Sequence, residues 1–267
     1  PKGGYYFDRL EVYPGGARQA VEEVSPPVIS DQLCDHYHRQ SESLFQNTDF
    51  AVIAPMGPPY ELFYGLGTGN FEAWMMAFAA EPDYVNALCE KLVDVWIENL
   101  RRFSSAVGNH VQILQFNDDF GTQSAPFISV KMFRELIMPH YKRGLDWIRE
   151  NTEWKVFLHS DGAILPLIPS IIEMGVDVLN PIQTSASGMD PETLKSEFGD
   201  QLVFWGGSLD CQKTLPFGSA EDVRREVTEH VRIFSPGGGY VFAPVHNIQA
   251  GVPAENVIAM FDAVLGK

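Results

Sequence analysis

From Phe50 onward, short apolar runs alternate with longer stretches in which apolar residues recur at helical spacing. Runs at 50–54, 110–116, 154–158, 176–181, 202–207 and 240–245 have the length and β-branched or aromatic content of buried strands. Between them the spacing predicts helices. One runs from Phe71 to Phe78, and another from Tyr84 to Phe103, with Val85, Leu88, Leu92, Val95 and Phe103 on one face. Further helices are predicted over 130–149, 164–174 and 253–265. Asp190 followed by Pro191 reads as an N-cap with proline in the first turn. Ser219 caps a helix carrying Val223, Val227 and Val231, with Asp222 placed for a capping box and Gly237-Gly238-Gly239 closing it.

Residues 1–47 show no comparable rhythm. Gly3 to Phe7 and Leu10 to Tyr13 read as short extended pieces before the Pro14-Gly15-Gly16 turn. The segment with Cys34, His36 and His38 has the residue types of a metal site, but reads better as a solvated helix face. Gly65, Gly67 and Gly69 do not follow a strand at the spacing of a phosphate cradle, so they are read as a loop with a permissive backbone.

Strands alternating with helices at these intervals require parallel crossovers. The expected fold is α/β, a (β/α)8 TIM barrel in one domain spanning 1–267, with 1–47 an irregular N-terminal segment and 48–267 the βα repeats. The first strand is not followed by G-x-G-x-x-G, which argues against a dinucleotide fold. Six clear units instead of eight fit a barrel whose beginning is weakly patterned or missing, and the chain starts at Pro1 rather than Met.

Composition narrows the partners. A formal charge of −16 repels nucleic acid and anionic membrane surfaces. Cys34, Cys89 and Cys211 are too few and too scattered for a disulfide framework or a CxxC zinc knot, so a reducing, cytoplasmic setting is expected. No apolar run reaches the roughly 18 residues of a membrane span, and no signal-peptide pattern opens the chain.

Barrels of this kind place their chemistry at the C-terminal ends of the strands. Those ends carry Asn117, Asp118 and Asp119; His159 and Asp161; Asn180 and Gln183; Gly206, Gly207 and Asp210; and His246, Asn247 and Gln249. The strand bodies are almost wholly apolar, so the polar rim is read as functional. Side chains two apart on a strand share a face, which lets His159 and Asp161 converge on one ligand. With His246 they make a three-residue metal set with an open position, suited to zinc, although iron and manganese accept the same ligand types. Asp118 or Asp119 would then serve as base or supporting carboxylate. Asn117, Asn180, Gln183, Gly206, Gly207 and Asn247 are the expected substrate contacts.

Val156 to Gly162, Gly175 to Pro181, Phe204 to Gly207 and His246 to Met260 together resemble the uroporphyrinogen decarboxylase superfamily. The resemblance covers roughly residues 45–265, and within it the chain looks closer to the corrinoid-dependent methyltransferases, such as the methylcobamide:coenzyme M type. In that branch a His-x-Cys pair and a C-terminal cysteine hold zinc. The pair falls on His159 and Asp161, and the cysteine position on His246, so two thiolates are replaced by harder ligands. Cys211 lies past its strand and matches no ligand position. The resemblance implies a zinc-dependent methyltransferase passing methyl between a small substrate, such as a methyl ether, and a corrinoid on a partner protein. Whether two copies pair as a homodimer is left open. The alternative is a cofactor-free decarboxylase of a tetrapyrrole, in which Asp118 or Asp119 polarises a pyrrole nitrogen. That branch uses an N-terminal arginine-rich motif to hold carboxylates, and this chain shows none. A third reading is a barrel that binds a corrinoid or porphyrin without turning it over.

Overall fold

The computed structural model describes residues 20–63 and 71–266. The extended pieces expected before Gly16 and the glycine loop at 65–69 lie outside the described residues. Asp31–Asn47 forms a helix, α1, a correction to the irregular segment expected up to residue 47. Its start is local: the Ser30 side chain accepts the Leu33 amide at 3.2 Å. Cys34, His36 and His38 lie on this helix, and His36 and His38 are exposed.

Strand β1 (Ile53–Pro55) is followed by α2 (Phe71–Ala80) and α3 (Pro82–Val107), and β2 (Ile113–Asn117) by α4 (Val130–Leu136) and α5 (Met138–Asn151). Strand β3 (Lys155–His159) leads into α6 (Ile168–Met174), β4 (Val178–Asn180) into α7 (Pro191–Phe198), and β5 (Val203–Trp205) into α8 (Thr214–Phe217) and α9 (Ala220–Phe234). The last pair is β6 (Tyr240–Val241) and α10 (Ala254–Leu265). All neighbouring strands pair in parallel, in the order β1-β2-β3-β4-β5-β6. This is the sequential strand arrangement of a TIM-type barrel wall.

The expected first strand is displaced. Phe50 is 81% exposed, and pairing begins only at Ile53. The single helix expected over 130–149 is two helices, because Pro139 follows Met138 and cannot donate an amide to a continuous ladder. The capping signals behave as the sequence predicts. Asp190 accepts the Thr193 amide at 3.0 Å, and Ser219 and Asp222 form the reciprocal capping box.

Alternation along the strands decides where each side chain goes. Leu114 and Phe116, Val156 and Leu158, Leu179 and Phe204 point outward into one core with the helices, where Trp96, Tyr141 and Ile171 are fully buried. Each such side chain contributes about 1.5–3 kcal/mol by leaving water. The opposite positions, Ile53, Gln115, Asn117, Phe157, His159 and Trp205, line a cavity of about 580 Å³ inside the wall. A smaller core of Leu209, Leu215, Val223, Val227, Ala259 and Met260 fixes α8, α9 and α10 to one another.

Candidate metal centre

Parallel register carries strand ends to a common height. Asn117 pairs with His159 and His159 with Asn180, so three polar residues of successive strands stand side by side. Asp161 follows two residues after His159, on the loop leaving β3, and His246 lies on the loop leaving β6. His159 Nε2 lies 3.6 Å from Asp161 Oδ2, and His246 Nε2 lies 3.9 Å from the same oxygen. The ligand atoms of the three residues all fall within 4.8 Å of one another. Donors bound to one tetrahedral zinc at about 2.0–2.1 Å stand roughly 3.4 Å apart. The trio therefore fits such an ion after a small inward movement. Two imidazoles and one carboxylate also make a donor set that zinc accepts, and a four-coordinate ion held by them would take one further ligand.

His159 is oriented from behind. Its Nδ1 donates to Asn180 Oδ1 at 2.7 Å, and Asn180 Nδ2 donates to the Trp205 carbonyl at 3.0 Å. The carbonyl accepts only, so it fixes which end of the Asn180 amide meets the imidazole. Nε2 is then left as the free electron pair facing Asp161. Burial alone would lower the His159 pKa, but Asp161, Asn180 and the Asp119 charge outweigh it and raise it. At 3.6 Å the Asp161 contact is too long for a hydrogen bond, and it becomes an ion pair only when the imidazole is protonated.

The two aspartates expected to handle protons are placed differently. Asp119 Oδ1 accepts the Asp161 amide at 2.9 Å, beside the metal set. Burial pushes its carboxyl above the usual range. The Asp161 amide and the two imidazoles oppose this, and the Asp161 charge reinforces it. Asp118 is fully buried beneath the mouth, where its Oδ2 accepts the Phe63 amide and the Tyr141 hydroxyl, both at 2.7 Å. Tyr141 Oη in turn accepts the Leu62 amide at 3.3 Å. Asp118 thus ties the loop after β1 to β2 and α5.

Other expected contacts also make hydrogen bonds within the wall. Gln183 is buried, accepts the Gly162 amide at 2.9 Å and donates to Gln123 at 3.0 Å. Asn180 lines the cavity, with both ends of its amide engaged by His159 and the Trp205 carbonyl. Asn117 and Asn247 do line the cavity, and Asn117 accepts from Gln115 at 3.0 Å. Gly206 and Gly207 form the turn leaving β5, where Gly207 carbonyl accepts from His230 at 2.8 Å. Asp210 Oδ1 accepts the Gln212 amide at 2.7 Å and the Lys213 amide at 3.0 Å.

Gly162 sets the height of the loop that carries Asp161. Its φ is +96°, and a Cβ there would lie 2.4 Å from the backbone of Gly121, so the loops after β2 and β3 touch main chain to main chain. Glu61, half-buried on the loop after β1, is a group the sequence reading missed. Burial raises its pKa, the Asp119 charge raises it further, and His159 opposes. Its only sequence signal is a carboxylate inside the otherwise uncharged stretch from Pro58 to Phe63, downstream of a strand end.

Residues 19–266 match the family model for uroporphyrinogen decarboxylase (URO-D). A uroporphyrinogen decarboxylase of Psychromonas ingrahamii is 28% identical over 218 residues, which cover 80% of this chain and 58% of that protein. This chain thus spans little more than half of that relative. A Shewanella denitrificans protein of the same name is 24% identical over 275 residues, covering 98% of this chain and 73% of its own length. Among solved structures, a methyltransferase from Methanosarcina mazei superposes with a TM-score of 0.65 at 18% identity, covering 92% of this chain and 69% of that one. This last likeness concerns the fold.

Proposed function

The chain belongs to the uroporphyrinogen decarboxylase family, and from that premise we propose that it is a zinc-dependent methyltransferase working with a corrinoid protein in a reducing, cytoplasmic setting. The observation that carries the reading is the convergence of His159, Asp161 and His246 on one point at the cavity mouth. When bound there, zinc supplies Lewis acidity toward the oxygen that methyl leaves.

The chain's own residues do the rest. Asn180 holds the His159 ring in the tautomer that presents Nε2. Asp119, next to Asp161 and raised in pKa, would give the departing oxygen its proton. The C–O bond would break with its electrons on oxygen, and a reduced corrinoid would supply the electron pair that bonds the methyl carbon. A cavity of about 580 Å³ suits a small methyl donor, with the corrinoid approaching from the open mouth.

The second reading, decarboxylation of a tetrapyrrole, is favoured by the names of the sequence relatives. Against it stands the cavity wall, which among the described residues contains no lysine or arginine to meet a ring of carboxylates. The test is direct. Purified protein is incubated with cob(I)alamin and a methyl ether while the cobalt spectrum is followed, and a parallel sample receives uroporphyrinogen. Methylation of cobalt supports the proposal; carboxyl loss without cobalt methylation replaces it with the second reading.

A further inference from the structure

Two side chains of the cavity wall belong to neither the metal set nor its supports. Phe157 lies two residues before His159 on β3, on the same inner face, and Trp205 ends β5. Their rings meet edge to face, with centroids 5.3 Å apart and planes at 74°. Phe157 is only 4% exposed and acts as a backstop, whereas Trp205 is half-buried and turns part of its indole to the cavity. The Trp205 main chain is held as well, because its carbonyl accepts from Asn180. A flat apolar surface therefore stands rigidly beside His159 and His246. The remaining polar wall is neutral: Gln115, Asn117 and Asn247 contribute amides.

We propose that Trp205 is the specificity-determining residue of this site, and that the cavity takes a compact molecule with a ring-sized apolar body and no carboxylate, seated against the indole with its heteroatom toward the metal set. The inference rests on the reading above only for the direction of the heteroatom. The selection itself follows from the wall. Indole and phenyl faces favour an apolar ring. Away from the metal set, a carboxylate held against the indole meets no lysine or arginine among the described lining residues, so it loses solvation without a partner.

The experiment titrates the full chain with guaiacol and with o-anisate, a ring of the same size carrying a carboxylate, by calorimetry. It is run on zinc-loaded and chelator-stripped protein, with zinc content measured on each preparation. Guaiacol is expected to bind at least about tenfold more tightly than o-anisate in the chelator-stripped form, where no zinc offers the carboxylate a counter-charge. Trp205→Ala is expected to weaken guaiacol by about tenfold or more, while Trp205→Phe keeps most of the affinity. Gln115→Arg, which adds the missing cation to the wall, is expected to bring o-anisate up toward guaiacol. In the stripped protein, equal affinity for the two probes, binding of neither, or an unchanged guaiacol affinity in Trp205→Ala overturns the proposal. Zinc absent from the reconstituted protein with discrimination intact removes the metal reading alone, and zinc held by the loaded protein without discrimination in the stripped form removes this one alone.

Discussion

Asn180 accepts the Nδ1 proton of His159 at 2.7 Å, and its own amide is locked by the Trp205 carbonyl at 3.0 Å. The pair converts a histidine at a strand end into an imidazole with a defined tautomer and direction. Partners of this kind typically change metal affinity about 10–100-fold when removed. Asn180→Ala is expected to weaken zinc by that range in competition with a chromophoric chelator. Asn180→Asp, which keeps an acceptor, is expected to bind more tightly than Asn180→Ala. Equal zinc affinity in the wild type and Asn180→Ala would remove Asn180 from the site.

Asp118 makes a contrasting case, because its carboxylate is enclosed and holds Phe63 and Tyr141. Hydrogen bonds to a buried charge contribute about 1.5–3 kcal/mol. Tyr141→Phe should lower unfolding stability by that amount in a denaturant titration and leave zinc content unchanged. Loss of zinc at unchanged stability would instead place Tyr141 in the chemistry.

A side chain at position 162 has no room. Gly162→Ala adds a Cβ 2.4 Å from Gly121 backbone at a φ of +96°, and strained backbone of this kind costs about 1–3 kcal/mol before the clash is counted. The variant is expected to be poorly soluble or, where folded, to lose zinc because Asp161 is carried away with the loop. A stable, zinc-replete Gly162→Ala would contradict the contact.

Glu61 gives a pH-dependent test. Its pKa is raised in the fold, so the folded protein holds this proton more tightly than the unfolded chain. The carboxylate therefore destabilises the protein above the raised pKa, and this penalty vanishes below the unfolded value. Glu61→Gln should raise the melting temperature of chelator-treated protein near pH 8, with the gain fading toward pH ~4. A gain that does not change with pH would assign the effect to packing instead of charge.

What the sequence discloses is mostly what is local. Ser219 with Asp222 and Asp190 with Pro191 act within one turn, and both behave in the fold as their spacing implies. Pattern places the strands but not their ends. Phe50 is as apolar as Val52, and only pairing with Ile113 decides where β1 begins. His159, Asp161 and His246 were legible because each follows a strand, and the parallel register brings such ends together. Asn180 and Gln183 were legible as rim residues but not as supports, since their partners, His159, Trp205, Gly162 and Gln123, lie across the sheet or in another loop. Glu61 was hidden because nothing beside it in the chain marks it, and Asp119 meets it only through the fold.

The central claim is that His159, Asp161 and His246 hold one metal ion, and metal analysis of purified protein tests it most directly. Wild-type protein is expected to retain stoichiometric zinc through dialysis, and Asp161→Ala and His246→Ala to lose most of it while remaining folded. Zinc retained in full by both variants, or absent from the wild type after reconstitution, would contradict the account.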